Sequence, residues 1–261
     1  MREAVDARKV ARLNIVGVPL DNFEKLSLLN FISTCVENQR LSVVGHINLH
    51  SICCLFESPE MKDLLNLEEA VVHIDGMPIV WAMKMKGCKV KRDNRLTYLD
   101  WGEDLLAIAD QKGWKVGYVG SSSATCLRAV EFFKRRHPSL QIRGWSGYFD
   151  LHDDAVGSQL RLILGEIREY APQLLFVGMG QPRQEIFVKR HFRNMGSTVY
   201  LCCGAFFEYF VSDRAPPPRW MGRLGLEWLY RLAQNPRRYS YRYLVEPFKV
   251  LRLLLRARDF R

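Results

Sequence analysis

The chain has 261 residues, of which 48% are hydrophobic and 25% are charged. These proportions are typical of a globular protein with a full core, and they exclude a disordered or collagen-like chain. The net charge of +10 is concentrated at the carboxyl end, where residues 213–261 hold 12 Lys and Arg against 4 Asp and Glu.

The longest uncharged run, Leu41 to Phe56, is shorter than the ~20 residues of a membrane-spanning helix. Residues 1–12 are charged throughout and do not form a signal peptide, so we expect no segment that crosses a membrane.

The cysteines do not form a recognisable metal or disulfide pattern. They are odd in number, lie mostly in apolar runs and include no C-x-x-C spacing; they are Cys35, Cys53, Cys54, Cys88, Cys126, Cys202 and Cys203. Adjacent pairs suit neither a zinc site nor a secreted disulfide framework. The pattern therefore predicts buried thiols in a reducing cytoplasm.

Strand and helix patterns alternate along the first 211 residues. A short β ribbon is predicted over 14–20, bent at Gly17, followed by a helix capped by Asp21 or Asn22. Strands are predicted at 42–45, 71–74, 115–120, 173–180 and 198–204, and a strand followed by a loop is predicted over 141–149. Helices are predicted between them, including one over 154–170 and one that starts at Pro182. This alternation predicts an α/β fold, Rossmann-like, with a mainly parallel sheet and flanking helices.

The composition changes after residue 211, at a stretch that ends in three consecutive prolines, 216–218. The sequence beyond it is helical in pattern and rich in arginine. We therefore place a domain boundary here, between a core domain of residues 1–211 and a basic amphipathic appendage of residues 212–261.

Asp75 stands out because it follows the predicted strand 71–74 directly and precedes a helix that begins near Pro78. Ligands of open α/β sheets bind at the carboxyl ends of the strands, which is where this carboxylate is placed. An Asp-Gly pair is also the ordinary composition of a turn. Both interpretations stay open on this segment alone.

Two glycine-containing loops follow strands and precede helices. Gly120 leads into three serines, and Gly180 leads into Gln181, Pro182 and Arg183. Backbone N–H groups in either loop could bind a diphosphate at a helix N-terminus, although a plain strand-to-helix turn is an equal alternative. The third glycine of G-x-G-x-x-G is replaced by Arg183, which argues against a nicotinamide cofactor.

The sequence offers little support for a metal site. His46 and His50 are four residues apart but lack the glutamate of H-E-x-x-H. The chain also has no Asp-x-Asp, so arginines such as Arg95 and those of the appendage would have to neutralise a phosphate leaving group. We expect neither a metal nor another cofactor.

The appendage combines an apolar stripe with many cations. Apolar residues from Trp220 to Leu232 recur at helical spacing, and a second amphipathic helix is predicted over 247–256, beyond Asn235-Pro236. Such segments pack against a domain, bind nucleic acid or lie on a membrane surface. The high apolar content favours a membrane surface over nucleic acid.

Three segments together resemble the WecG/TagA/CpsF glycosyltransferases, glycosyltransferase family 26. They read Asp75-Gly-Met-Pro-Ile-Val-Trp-Ala82, Leu175-Phe-Val-Gly-Met-Gly-Gln-Pro-Arg-Gln-Glu185, and Arg219-Trp-Met-Gly-Arg-Leu-Gly-Leu-Glu-Trp-Leu-Tyr-Arg231. The resemblance implies an inverting, metal-independent enzyme that moves a sugar from a UDP-sugar to a polyprenyl-diphosphate-linked saccharide. Such enzymes build bacterial cell-surface polymers such as exopolysaccharide, capsule, teichoic acid linkage units and common antigen.

The resemblance also implies roles for individual residues. Asp75 corresponds to the proposed general base, and His46 and Asn48 correspond to a Thr-x-Asn, with histidine in place of threonine. His46 could then orient Asp75 or the acceptor, or share the role of base. The residues expected near the donor are Arg95, Gln184, Arg231, Arg238 and Arg242, in addition to the loops at Gly120 and Gly180.

The expected partners are a UDP-sugar, a polyprenyl-diphosphate-linked acceptor and an anionic membrane surface, with no nucleic acid. Assembly into a homo-oligomer stays open. The expected location is cytoplasmic, peripheral on the inner face of the cytoplasmic membrane. Two alternatives remain at this point: a non-enzymatic nucleotide-binding protein with an RNA-binding tail, and a nicotinamide oxidoreductase.

Overall fold

The computed structural model describes residues 10–153, 155–212, 217–218, 220–221 and 225–256, without the side chains of residue 238 and residues 254–256. Its strands are β1 (Arg12–Ile15), β2 (Val18–Asp21), β3 (Ser42–Ile47), β4 (Ala70–Ile74), β5 (Val116–Gly120), β6 (Ile142–Trp145), β7 (Leu174–Gly178) and β8 (Val199–Cys202). β1 and β2 form an antiparallel hairpin that turns at Val16 and Gly17, both with positive φ. The ribbon predicted over 14–20 is therefore confirmed.

The core domain contains eight α-helices within its described residues. They are α1 (Lys25–Glu37), α2 (Leu49–Glu57), α3 (Pro59–Leu65), α4 (Met77–Met85), α5 (Tyr98–Lys112), α6 (Ser123–Arg136), α7 (Gln159–Tyr170) and α8 (Arg183–His191). Short 3₁₀ helices lie at Arg92–Asn94 and Phe207–Phe210.

The remaining six strands form one parallel sheet in the order β4-β3-β8-β7-β5-β6. Successive side chains of a strand point to opposite faces, and both faces of this sheet are covered by helices. Leu174 and Phe176 of β7 join a core with α1, α5 and α6, whereas Leu175 and Val177 join a core with α7 and α8. The predicted Rossmann-like α/β fold is confirmed.

Two helix starts differ from the prediction. Asp21 does not cap α1, because its carboxylate accepts a hydrogen bond from the Val72 backbone at 2.8 Å and so joins the hairpin to β4. The N-cap of α1 is Glu24. The helix predicted from residue 154, which lies outside the described residues, begins at Gln159 because the Ser158 hydroxyl caps it.

The described part of the appendage is mainly helical, but the helix predicted from Trp220 to Asn235 is interrupted. Residues 225 and 226 are not helical, because Gly225 turns the chain with a φ of +73°. The helices beyond this turn are α9 (Glu227–Gln234), α10 (Pro236–Ser240), a π-helical turn (Tyr241–Val245) and α11 (Glu246–Arg256). Asn235 ends α9, in agreement with the predicted stop at Asn235-Pro236. Among the described residues, no helix has the length and apolar character needed to span a bilayer.

All seven cysteines lie in the described part of the chain, and none forms a disulfide. Six are buried and Cys88 is half-buried. Burial raises the pKa of the Cys54 and Cys126 thiols to about 12. The prediction of buried thiols is therefore confirmed for six of the seven.

Candidate active site

A cavity of about 400 Å³ lies at the carboxyl ends of β3 and β4, between the core domain and the appendage. The core domain contributes Asn48, Asp75 and Arg95 to its wall. The appendage contributes Glu227, Arg231 and Arg242, among others. A carboxylate at a strand end therefore shares one cavity with cations that follow it by up to 167 positions in the sequence.

Asp75 is held at its position by the backbone on both sides. Its N–H continues the parallel ladder by donating to the Ile47 carbonyl at 2.9 Å. Gly76 follows with φ of +148°, a conformation that L side chains rarely adopt, and precedes α4. A Cβ there would lie at an ordinary 3.6 Å from the Asn48 Cβ, so the backbone conformation, and not lack of space, requires glycine. The Asp-Gly pair thus turns the chain sharply and keeps the carboxylate at the cavity.

Asn48 orients one oxygen of this carboxylate. It is the N-cap of α2, and its Oδ1 accepts a hydrogen bond from the Ser51 backbone at 3.1 Å. Because this bond uses the amide oxygen, the Nδ2 group is left to donate to Asp75 Oδ2, also at 3.1 Å. One helix cap therefore both starts α2 and positions the carboxylate.

His46 lies beneath Asp75 and is buried, so it does not line the cavity. Its Nδ1 is 3.0 Å from the Cys202 carbonyl, which can only accept, so Nδ1 carries a proton. Its Nε2 is 3.8 Å from Asp75 Oδ2. The imidazole thus joins the end of β8 to the back of the carboxylate.

The charge state of Asp75 follows from these contacts. Burial acts to raise the pKa of Asp75, but His46, the hydrogen bond from Asn48, His73 and Arg231 together lower it below its ordinary value. The carboxyl group, whose side chain is 23% exposed, is therefore ionised at neutral pH.

His73 is the register partner of His46 on β4. Its ring is buried at 5.9 Å from that of Tyr98 and 5.8 Å from that of Trp101. Burial, and next the nearby His46, lower the pKa of His73 to about 3. It is therefore neutral under ordinary conditions.

Two cavity arginines are joined through one acidic residue. Arg95 lies beside the end of β4, where Leu96 N–H donates to the Ile74 carbonyl at 2.8 Å, and its side chain is 7% exposed. Its guanidinium is 3.4 Å from Glu227 of the appendage, and Arg231 is 3.6 Å from the same carboxylate. Arg231 also lies over the Tyr209 ring at 5.5 Å. Burial acts to lower the pKa of Arg231, but Tyr209, Tyr243, Glu227 and Asp75 raise it overall, so it stays charged.

The appendage is held on α2 at a second place. His50 Nδ1 is 3.0 Å from both carboxylate oxygens of Glu246, whose side chain is buried. Val250 of α11 is buried in the core formed with α2 and α4, and Lys249 pairs with Glu57 at the exposed rim. These contacts fix α11 beside the cavity.

The sequence model described as the glycosyl transferase WecG/TagA/CpsF family matches residues 13–261. The chain belongs to this family. A protein of Staphylococcus aureus (strain MW2) is 25% identical over 237 residues, covering 87% of each chain. One of Bacillus subtilis (strain 168) is 24% identical over 227 residues, covering 87% of this chain and 85% of the relative. Both carry the name N-acetylglucosaminyldiphosphoundecaprenol N-acetyl-beta-D-mannosaminyltransferase.

Membership in the WecG/TagA/CpsF family makes this protein a glycosyltransferase. It favours that interpretation over the nicotinamide and RNA-binding alternatives. Of the ten predicted site residues, five line the cavity, four do not, and one has a side chain outside the described residues. Asn48, Asp75, Arg95, Arg231 and Arg242 line the cavity, whereas the side chain of Arg238, in α10, lies outside the described part of the structure.

Gly120, Gly180 and Gln184 do not line this cavity. A Cβ at Gly120 would lie 2.5 Å from the Gly178 carbonyl, so this glycine permits the close approach of β5 and β7. Gln184 is fully buried; it accepts from Gly204 N–H at 3.0 Å and donates to Glu185 at 2.8 Å. Contact of these residues with a donor in this family member stays a prediction.

Sequence reasoning did not single out Glu227. A signal was available, because Glu227 is one of only 4 acidic residues among the 12 cations of residues 213–261. An isolated carboxylate in such a segment suggests an internal ion pair. Its partner on the core domain, Arg95, could not be identified from spacing.

Proposed function

We propose that this glycosyltransferase moves a sugar from a UDP-sugar to a polyprenyl-diphosphate-linked saccharide, with inversion, in the synthesis of a bacterial cell-surface polysaccharide. The observation that carries the proposal is the shared cavity, in which an ionised Asp75 lies with Arg95, Arg231 and Arg242. The names of the relatives support a lipid-linked N-acetylglucosamine as acceptor and N-acetylmannosamine as the transferred sugar.

The proposed step is a single displacement. Asp75 accepts the proton of an acceptor hydroxyl group while the oxygen of that hydroxyl group forms a bond to the anomeric carbon. The bond from that carbon to the diphosphate oxygen breaks, and UDP leaves with the electron pair. Attack from the face opposite the leaving group inverts the anomeric centre.

The cavity arginines would neutralise the charge that develops on the leaving diphosphate. Fixed cations in a partly desolvated site stabilise such charge more strongly than water does. Glu227 keeps Arg95 and Arg231 close together before the donor binds, at 3.4 and 3.6 Å from its carboxylate. Because Arg231 and Arg242 belong to the appendage, its docking would complete the donor site.

We assign His46 the role of a positioning residue. It lies behind Asp75 rather than in the cavity, so its contacts support orientation of the carboxylate over direct contact with substrate. Its second nitrogen is fixed by the Cys202 carbonyl, which keeps Nε2 directed at Asp75.

The proposed location is the inner face of the cytoplasmic membrane. The appendage exposes apolar side chains, including Trp228, Leu229, Phe248 and Leu251, beside arginines such as Arg252. Amphipathic basic helices of this kind bind anionic lipid surfaces.

The test is a donor screen with the full-length protein. It is incubated with a panel of UDP-sugars, UDP-N-acetylmannosamine among them, and a short-chain lipid diphosphate N-acetylglucosamine, and UDP release is measured. We expect release with one donor and an inverted anomer in the product, assigned by NMR. Absence of release with every donor, or salt-dependent RNA binding in its place, would overturn the proposal.

A further inference from the structure

The outward face of α4 is unusually apolar for a surface helix. Its inner side, including Ile79, Val80 and Met83, is buried in the core. Its outer side nevertheless exposes Trp81 and Met85, by 51% and 78%. A helix that is apolar on both sides is normally buried, so we expect the outer face to be covered by a binding partner or a lipid surface.

Lysine and arginine side chains lie at the end of α4 and in the segment that follows it in the sequence. Between residues 84 and 93 there are five Lys and Arg and one Asp, a net charge of +4. Lys84, Lys86 and Lys89 are exposed, and Lys91 pairs with Glu24 at 3.8 Å. The first 212 residues carry a net charge of only +2, so this segment is a local basic patch in a nearly neutral domain.

The α4 face is also continuous with the appendage at the mouth of the cavity. A Cβ on Gly225 would lie 3.1 Å from Met77 and 3.5 Å from the Trp81 ring. Pro78, at the start of the same outer face, lines the cavity together with Trp228. Trp81 and Met85 lie beyond the lining, toward the exposed end of α4.

We propose that the outward face of α4, with Trp81, Met85 and the lysines that follow, is a contact site for an anionic lipid bilayer. Tryptophan and methionine are common at both protein interfaces and membranes, but lysine is depleted at protein interfaces, so the lysines favour a bilayer over a protein partner. Tryptophan is enriched at the membrane–water boundary, and lysines near an anionic leaflet are attracted to its surface. The proposal rests on the proposed function in one respect, since a lipid-linked acceptor would bring the cavity to a bilayer.

This contact would lie beside that of the appendage and add to it, because α4 belongs to the core domain. The core domain itself would touch the lipid surface beside the cavity, and two contacts would fix its orientation where one would leave it free to rotate. The sugar end of a lipid-linked acceptor would then meet Asp75 from the side on which Pro78 and Trp228 lie.

The test measures co-sedimentation of full-length protein with phosphatidylcholine vesicles, with and without phosphatidylglycerol. The first variant is Trp81→Ser with Met85→Ser, and the second is Lys84→Gln with Lys89→Gln. The matched controls are Leu127→Ser with Leu162→Ser, which are 61% and 59% exposed, and Lys134→Gln with Arg135→Gln, both on α6. Circular dichroism and thermal melting establish that each variant is folded.

We expect the apolar variant to bind anionic vesicles at least about tenfold more weakly, because the burial of the Trp81 and Met85 side chains is lost. The lysine variant should bind roughly 30-fold more weakly, at about fivefold per lysine near an anionic surface. The controls should bind like the wild type. Unchanged vesicle binding by both α4 variants, or equal binding to vesicles lacking phosphatidylglycerol, would overturn the proposal.

Turnover gives a second, independent readout. With a water-soluble short-chain acceptor, the α4 variants should match the wild type, and with a vesicle-embedded acceptor they should be slower. Loss of turnover with both acceptors at normal vesicle binding would place α4 in the acceptor site and overturn the bilayer assignment. If the wild type shows no turnover at all, the proposed function fails while the vesicle measurements still decide the role of α4.

Discussion

At the scale of single residues, the site depends on how Asp75 is charged and oriented. Asn48 and His46 both lie at the carboxyl end of the neighbouring strand, β3. They approach the same oxygen of the Asp75 carboxylate, at 3.1 and 3.8 Å. The sequence places all three at strand ends, but the hydrogen bond to Cys202 that fixes His46 comes from β8, 156 positions away. That contact depends on the strand order.

Replacement of Asp75 by asparagine is expected to reduce kcat by about 10²–10⁴-fold, the usual contribution of a positioned general base. The amide keeps the shape of the side chain, so UDP binding should be retained in calorimetry. Asp104→Asn, at an exposed ion pair with Lys25, is the matched control and should turn over normally. Near-wild-type turnover of Asp75→Asn would contradict the assignment.

Replacement of His46 by glutamine is expected to move the acid limb of kcat/KM to higher pH. His46 lowers the pKa of Asp75, so its removal raises that pKa, and the active carboxylate is then lost at a higher pH as the solution is acidified. The pH profile is compared with that of His152→Gln, at an exposed loop position. An unshifted acid limb would mean that His46 has only a structural role.

The buried His73 makes the free energy of unfolding depend on pH. It stays neutral when folded, with a pKa of about 3, whereas its unfolded pKa is about 6.5, so the unfolded state gains a proton first as pH falls. Stability should therefore drop by ~2 kcal/mol between pH 7 and 5 from this residue alone. Urea unfolding of His73→Phe should show a correspondingly flatter pH dependence; an identical slope would contradict the prediction.

At the scale of elements, the cavity depends on how the appendage helices pack against α2 and α4. Arg95 of the core domain and Arg231 of α9 meet at Glu227, and Glu246 of α11 meets His50. The amphipathic pattern predicts helices here, but it does not predict which core residues they contact, since many surfaces would bury the same stripe.

Replacement of Glu227 by glutamine should loosen the docking of the appendage, because it removes the counter-charge that Arg231 shares with Arg95. Arg95 keeps its ion pair with Asp100 at 3.6 Å, so the loss falls mainly on Arg231 of the appendage. We expect faster limited proteolysis of the appendage without ligand, and protection when UDP supplies the missing negative charge. Glu57→Gln removes only the exposed pair with Lys249 and should change little. Equal proteolysis rates for wild type and Glu227→Gln would exclude this role.

At the scale of the whole molecule, the core domain and the appendage differ in how much of the hydrophobic core they form. Two of the three hydrophobic cores of the described residues are formed entirely by core-domain residues, whereas Val250 of the appendage enters the other. The core must extend past Phe206 and Phe207, which are fully buried against α6. Phe206 and Phe207 therefore belong to the core domain, and the boundary after residue 211 stays a prediction.

Deletion of residues 212–261 should therefore leave a folded domain with a modestly lower Tm but without turnover, since Arg231 and Arg242 are lost. Circular dichroism and the UDP-release assay measure the two effects. A deletion from residue 206 is the informative comparison, because it removes buried aromatics and should unfold the domain. Turnover by the 1–211 domain at the wild-type rate would contradict the proposed role of the appendage.

The sequence by itself determined the alternating strands and helices, the position of Asp75 at a strand end and the basic amphipathic character of the appendage. These features depend on periodicity, caps and turns, which are local. Only the tertiary structure decided that Arg231 and Arg242 share a cavity with Asp75, that Gln184 is buried outside it, and that α4 leaves an apolar basic face exposed. Such relations depend on strand order and on which surfaces the last helices cover, and neither is encoded in local spacing.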